Sequence, residues 1–357
     1  MTEYFSKDKM TPKERMAAFK AGQPYDRIPT ALNVGEHAAK LIGVKVSEFH
    51  KSAKINAQAQ IAALKEYGQD SVAVGLGLTG IAEAAGSKVA LPDYSSPYVG
   101  EFAIKDPADL EKLDIPDPAR FYKFTVIREA IEILKEEVGD SVSIGCGLAG
   151  PLTTANNLRG AENLMKDIYN RPEFVHQLLD FSVRSSVPFV QELAKMDVTI
   201  SVADPVSSGS LIGPKVFQEF AFPYLKRLIE EISRVSKPPS LHICGNTNKI
   251  LAGMADTGAG TLSLDSLVDL EFAKNKVGDR VIISGNVRPA ETMFLGTPVT
   301  VEENIKECIS KAYDSPKGYI LGLGCGMPFR TPPANIHAFF DAARKYGQYP
   351  YNPTLWN

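Results

Sequence analysis

The sequence predicts an α/β protein, a parallel (β/α)8 TIM barrel, and three observations carry that prediction. Eight short runs with strand character recur along the 357 residues, helix-periodic segments lie between them, and potential chemistry gathers at the C-terminal ends of the runs. The runs are PTALNV (29–34), DSVAVGL (70–76), SVSIGCG (141–147), VTISVADP (198–205), SLHICG (240–245), GTLSLDS (260–266), RVIISGN (280–286) and GYILGLGCG (318–326). Each is rich in Val and Ile or ends in small residues, as buried parallel strands do.

Between the runs, residues 52–68, 124–139 and 214–235 carry apolar side chains at spacings of three and four, which predicts amphipathic helices. The same alternation fits a doubly wound open sheet, and the count of eight favours the barrel. Residues 75–118 are long, Pro-rich and irregular, and predict an elaborated loop after strand 2 with room for a small hairpin. Helical character before the first run predicts an N-terminal helical extension. No linker composition interrupts the chain, so residues 1–357 read as a single domain.

Composition narrows the function classes. A hydrophobic fraction of 44% and a charged fraction of 23% describe a globular chain with a large core. Net charge is −3 with the two signs interspersed, and no basic stripe marks a nucleic-acid partner. No apolar run approaches membrane-spanning length, and the polar first 22 residues do not read as a secretory signal. The cysteines are Cys146, Cys244, Cys308 and Cys325, too few for a disulfide framework, so the expectation is a cytoplasmic protein with reduced thiols.

In a parallel barrel the functional groups stand at the C-terminal strand ends. Those ends carry Asn33 and Glu36, Gly75 and Gly77, Cys146, Asp204, His242 and Cys244, Asp265, Asn286, and Cys325. Random placement of four cysteines and five histidines would rarely put four of the nine there. His242 and Cys244 are two apart, so a regular strand points both to one side. Cys325 follows some eighty residues later and joins them only if the barrel brings the two strand ends together. Imidazole and thiolates are the ligands zinc favours, and three protein ligands with one open position form its catalytic arrangement.

On the residues alone, the His-x-Cys pair fits a metal site or a buried thiol beside a core histidine. Cys308, inside ENIKECISKAY, reads as a small buried hydrophobe. His37, His50, His176 and His337 stand in helical or loop contexts with no cysteine near, and read as structural or solvated. The glycines of LGLGCGMP lack the lysine and helix start of a phosphate-binding loop.

A set of motifs then adds a resemblance. YDRIPTAL (25–32), EAAG (83–86), IGCGLAGPLTTA (144–155), LHICGNT (241–247), SLDSLVDL (263–270), ISGNVRPAETMFLGTP (283–298) and LGLGCGMPFRTPPANI (321–336) occur in the order expected of the uroporphyrinogen decarboxylase superfamily. Within it the chain resembles the zinc-dependent corrinoid methyltransferase branch, the methylcobalamin:coenzyme M methyltransferase-like enzymes. The resemblance implies a TIM barrel, a zinc ion held by His242, Cys244 and Cys325, and methyl transfer from a methyl-corrinoid to a small thiol acceptor activated as its thiolate. Coenzyme M, tetrahydrofolate and another thiol stay open as acceptors. Asp204 and Asp265 are candidates for carboxylates supporting the ligands or holding substrate, with a helix N-cap just after a strand as the alternative, favoured for Asp265. Glu83 is a candidate loop anchor or resting-state ligand, and Cys146 and Asn286 are candidates for lining the pocket.

The D-x-H-x-x-G cobalamin signature is absent, so the corrinoid cofactor is expected free or on a separate corrinoid protein. The metal-free decarboxylase branch must hold a polycarboxylate, and no arginine lies between Arg27 and Arg120 to do so. A metal-free lyase and a non-catalytic corrinoid- or metal-binding barrel remain the alternatives.

Overall fold

A computed structural model describes residue 5 and residues 7–356. All eight expected runs form strands: β1 (Thr30–Ala31), β2 (Ser71–Ala73), β5 (Ser143–Ala149), β6 (Thr199–Ala203), β7 (Ser240–Ile243), β8 (Thr261–Leu264), β9 (Ile282–Val287) and β10 (Tyr319–Leu323). They form one parallel sheet in the order β1-β10-β9-β8-β7-β6-β5-β2, with helices between successive strands. This is the (β/α)8 barrel. The loop after β2 contains the small antiparallel hairpin β3 (Lys88–Ala90) and β4 (Tyr98–Glu101).

Side-chain alternation divides β2 and β5 to β8. One set, including Val72, Ile144, Leu148, Ile200, Val202, Leu241, Ile243, Leu262 and Leu264, is almost wholly buried in the main hydrophobic core. Burial at about 25 cal/mol per Å2 of apolar surface makes this layer the main stabilising one. The opposite set is small, each residue glycine, alanine or hydroxyl-bearing: Ser143, Gly145 and Gly147, then Thr199, Ser201 and Ala203, then Ser240, Thr261 and Ser263. Barrel interiors are usually filled by branched aliphatic side chains, and these strands instead give a polar interior.

The helices expected over 52–68 and 124–139 form at Ala53–Tyr67 and Tyr122–Val138. The one expected over 214–235 is interrupted. A π-helical turn at Phe217–Ala221 separates Gly213–Val216 from Phe222–Val235. Pro223 is the physical reason, because it brings no N–H to the helical ladder.

β1 and β2 are the two ends of the sheet order, and buried charge spans the seam between them. The N-terminal helix Pro12–Lys20 starts with Thr11, whose hydroxyl caps the Glu14 amide while Glu14 caps Thr11 in return. This helix delivers Arg15, fully buried, to Asp26 at 2.7 Å and Asp70 at 2.8 Å. Arg27 binds Asp8 and Asp70, each at 2.8 Å. At the base of β2, Asp70 also accepts the Thr30 amide of β1 at 2.7 Å.

Burial alone would raise these carboxyls, but the arginines prevail, holding Asp8 down at about 2 and lowering Asp26 and Asp70. A carboxylate with a folded pKa below its unfolded value of about 3.9 adds stability above that value and loses it as pH falls through the folded one. Denaturant midpoints should therefore hold steady above about pH 5 and fall between about pH 4 and 2. A midpoint unchanged down to pH 2 would contradict this account.

Candidate metal centre

β7 pairs with β8 so that His242 lies opposite Ser263. The histidine Nδ1 lies 3.0 Å from the Ser263 carbonyl oxygen and 3.2 Å from its Oγ. A carbonyl can only accept, so Nδ1 carries the proton, and Nε2 is left to point at Cys244 Sγ, 3.3 Å away. Just past the strand, the turn at Gly245 is left-handed, with φ +79. A Cβ there would sit 2.7 Å from Ser208 Oγ, so both conformation and space require glycine. Asp265 accepts the Gly245 amide at 2.8 Å, and Ser210 Oγ accepts the Asn246 amide at 3.1 Å. Two neighbouring loops thus fix the residues that carry Cys244.

Cys325 comes from the far side of two strands. After β10 the chain leans across the ends of β9 and β8: the Gly324 amide donates to the Val287 carbonyl at 2.9 Å. A Cβ on Gly324 would lie 2.4 Å from the Ser266 nitrogen. That crossing brings Cys325 Sγ to 3.5 Å from Cys244 Sγ. The ligand atoms of His242, Cys244 and Cys325 all lie within 4.8 Å of one another. His242 and Cys244 are half-buried and Cys325 is exposed, so the cluster is open on one side. Gly324→Ala should push Cys325 away and weaken metal binding by about 10–100-fold, the scale of a disturbed ligand support, with an unchanged circular dichroism spectrum. Metal titration of the variant reads this directly, and unaltered affinity would contradict the role given to the close approach.

The three groups share charge unequally. A hydrogen bond from Cys244, with the His242 ring beside it, holds the Cys325 thiol well below its ordinary value, and the same contact with Cys325, with burial second, holds the Cys244 thiol up. Burial opposes a charged His242 ring, yet the Cys325 sulfur raises its pKa overall. An imidazole nitrogen and two sulfurs, one already favoured as thiolate, fit a borderline-soft ion such as zinc.

The other candidates are placed differently. Asp265 lies beside the cluster as the acceptor for Gly245, and it also accepts the Leu267 amide at 2.9 Å. Asp204, fully buried, accepts the Thr153 amide at 2.7 Å, the Thr153 hydroxyl at 2.6 Å and the Ser207 hydroxyl at 2.7 Å. It therefore anchors the N-terminus of helix Pro151–Arg159. Glu83 pairs with Lys123 at 3.1 Å, as a loop anchor would. Asn286 donates to the Asp265 and Val268 carbonyls at 2.9 and 2.6 Å, and ties the β9 end to the β8 loop. Cys146 shares the buried face of β5 with Ile144 and Leu148, and burial pushes its thiol up to about 12. The other four histidines are engaged elsewhere, His37 with Tyr67, His50 with Glu36, His176 with Tyr224 and His337 with Glu66.

Ser263, Ser208, Ser210 and Gly324 were not legible as site residues. Only Ser263 left a signal, a hydroxyl on the small-residue face of TLSL directly before the candidate Asp265.

Together these features define a parallel α/β barrel with a candidate soft-metal centre at its C-terminal mouth. The chain belongs to the uroporphyrinogen decarboxylase (URO-D) family, whose model matches residues 11–346. It is 30% identical over 356 residues to the methylcobamide:CoM methyltransferase MtbA of Methanosarcina acetivorans, covering 97% of this chain and 99% of that one. It is 27% identical to a methylated-thiol–coenzyme M methyltransferase of Methanosarcina mazei, over 94% of this chain and 90% of the relative. The solved structure of a methyltransferase from Methanosarcina mazei superposes with a TM-score of 0.86 at 28% identity, covering 95% of this chain and 99% of that one.

Proposed function

We propose that this protein transfers a methyl group from a methyl-corrinoid to a small thiol such as coenzyme M, with His242, Cys244 and Cys325 as ligands of a zinc ion. The observation that carries the reading is the convergence of those three donors from β7, the residue just after it and the segment after β10. Zinc held there would supply Lewis acidity, ionising the acceptor thiol while leaving its sulfur nucleophilic. The protein's own part is positional. Ser263 fixes the His242 tautomer, Asp265 and Ser210 fix the loop of Cys244, and the Gly324 crossing sets Cys325. In the overall change a sulfur–carbon bond forms as the donor's cobalt–carbon bond breaks, the electron pair stays with the corrinoid, and the acceptor's proton is released.

The open side of the cluster faces the mouth, where the donor must arrive. Leu78, Leu211 and Leu267 are 43%, 68% and 64% exposed on the loops after β2, β6 and β8, and supply apolar surface for a large flat donor. We assign the donor to a separate corrinoid protein. No helix among the described residues is long and apolar enough to cross a membrane, and the paired thiols suit a reducing cytoplasm. Decarboxylation of a polycarboxylate is disfavoured because Arg27 is held between Asp8 and Asp70 in the seam.

The test is metal analysis of protein purified without added metal, followed by methylcobalamin consumption in the presence of coenzyme M. About one zinc per chain and thiol-dependent loss of methylcobalamin are expected. Folded protein that neither holds nor takes up zinc would end this reading.

A further inference from the structure

The N-terminal face of the barrel holds a cavity of about 860 Å3, within the range of small-molecule sites. Its floor includes Ser143, Thr199, Ser240 and Thr261, the first residues of β5, β6, β7 and β8. In most barrels the conserved features of this end serve stability, and its strand ends are closed by aliphatic side chains. Here four hydroxyls face an open space.

Its walls are cationic. Lys13 and Lys20 come from the N-terminal helix and Lys237 from the segment leading into β7. None of the three ammonium groups has an ion-pair or hydrogen-bond partner among the described residues, in a protein where most other lysine and arginine side chains do. Lys135 and Arg234 also line the cavity, the first bonded to the Met196 carbonyl and the second paired with Glu231. Asp140 and Asp197 are the carboxylates of the lining, and neither pairs with a lysine. Burial, and then the charge of Lys237, lower the pKa of Lys20, so these ammonium groups repel one another without a counter-ion. Like charges that no carboxylate pairs with cost some stability around this cavity, whose lining is part polar and part apolar. A multiply charged anion would offset that cost, with the lysines as point charges and the strand hydroxyls as donors to its oxygens.

We infer that the basal cavity, lined by Lys13, Lys20 and Lys237 over the hydroxyls of β5 to β8, is a binding site for a small, multiply charged phosphate- or carboxylate-bearing anion. The site is separate from the metal centre, yet close to it. Ser240 and Thr261 stand two residues below His242 and Ser263 on the same strand faces, a rise of about 7 Å.

Isothermal titration at low ionic strength with inorganic pyrophosphate and with citrate tests the inference on the full chain. Saturable binding of at least one probe is expected, weakened about tenfold or more by Lys20→Gln combined with Lys237→Gln. Preference between the two probes separates a phosphate ligand from a carboxylate one. Lys166→Gln, at an exposed pair with Glu162 away from the cavity, should bind like the parent protein. Absence of saturable binding for both probes would overturn the inference, and so would equal affinity in the parent and the doubly substituted protein. All three substituted lysines are exposed, so the variants are expected to fold as the parent does.

Discussion

Cys325→Ser is expected to abolish stoichiometric zinc and to lower methyl transfer by at least about two orders of magnitude, the scale of a few kcal/mol of lost Lewis-acid stabilisation. The hydroxyl is nearly isosteric but stays protonated at neutral pH, whereas contact with Cys244 and His242 favours the Cys325 thiolate. Cys325 is exposed and no helix or strand depends on it, so the circular dichroism spectrum and thermal midpoint should stay near those of the parent protein. Metal content by mass spectrometry and methylcobalamin consumption are read on the same preparation. A variant that retained both zinc and activity would remove Cys325 from the site. Ser263→Ala makes an instructive contrast. It deletes the Oγ contact to His242 but leaves the carbonyl bond, which by itself holds the proton on Nδ1.

Asp70→Asn is the substitution with the largest expected cost in stability. The carboxylate is held by Arg15 at 2.8 Å, by Arg27 at 2.8 and 3.0 Å, and by the Thr30 amide at 2.7 Å. Asparagine keeps the shape but leaves two buried guanidinium groups with less than their matching charge, and breaking such a network costs about 3–5 kcal/mol. With an unfolding entropy of about 2.1 cal/mol/K per residue, a chain of this length should lose roughly 4–7 °C in thermal midpoint. Glu192→Gln, at an exposed pair with Lys195 outside the seam, should change stability by no more than about 0.5 kcal/mol. Chemical denaturation of both variants decides the matter. A loss below about 1 kcal/mol for Asp70→Asn would mean that the seam is closed by packing rather than by charge.

The two halves of the candidate metal site differ in how far they could be read in advance. His242 lies in β7 and Cys244 directly follows its last residue, so the period of two in an extended chain accounts for their common orientation from spacing alone. Cys325 could be nominated from its place at the end of the eighth run and from the family resemblance. Its approach to Cys244 depends on the crossing at Gly324, which is set by contacts with Val287 at the end of β9 and Ser266 in the loop after β8. Asp204 illustrates the opposite outcome. Its position at a strand end was read correctly, but its four donors belong to Leu152, Thr153 and Ser207, so the carboxylate holds a helix terminus in place. A carboxylate at a strand end looks the same in sequence whether its partner is a ligand or a helix amide.

By itself, the sequence determined the eight strands, the intervening helices, the loop after the second strand and the His-x-Cys face, because period-two and period-3.6 patterning are local properties of the chain. Tertiary structure alone decided three further features: the meeting of Cys325 with Cys244, the charged seam between β1 and β2, and the lysine-walled basal cavity. Each joins residues far apart in the chain, and their separation is fixed by barrel curvature and close packing, which no local pattern encodes.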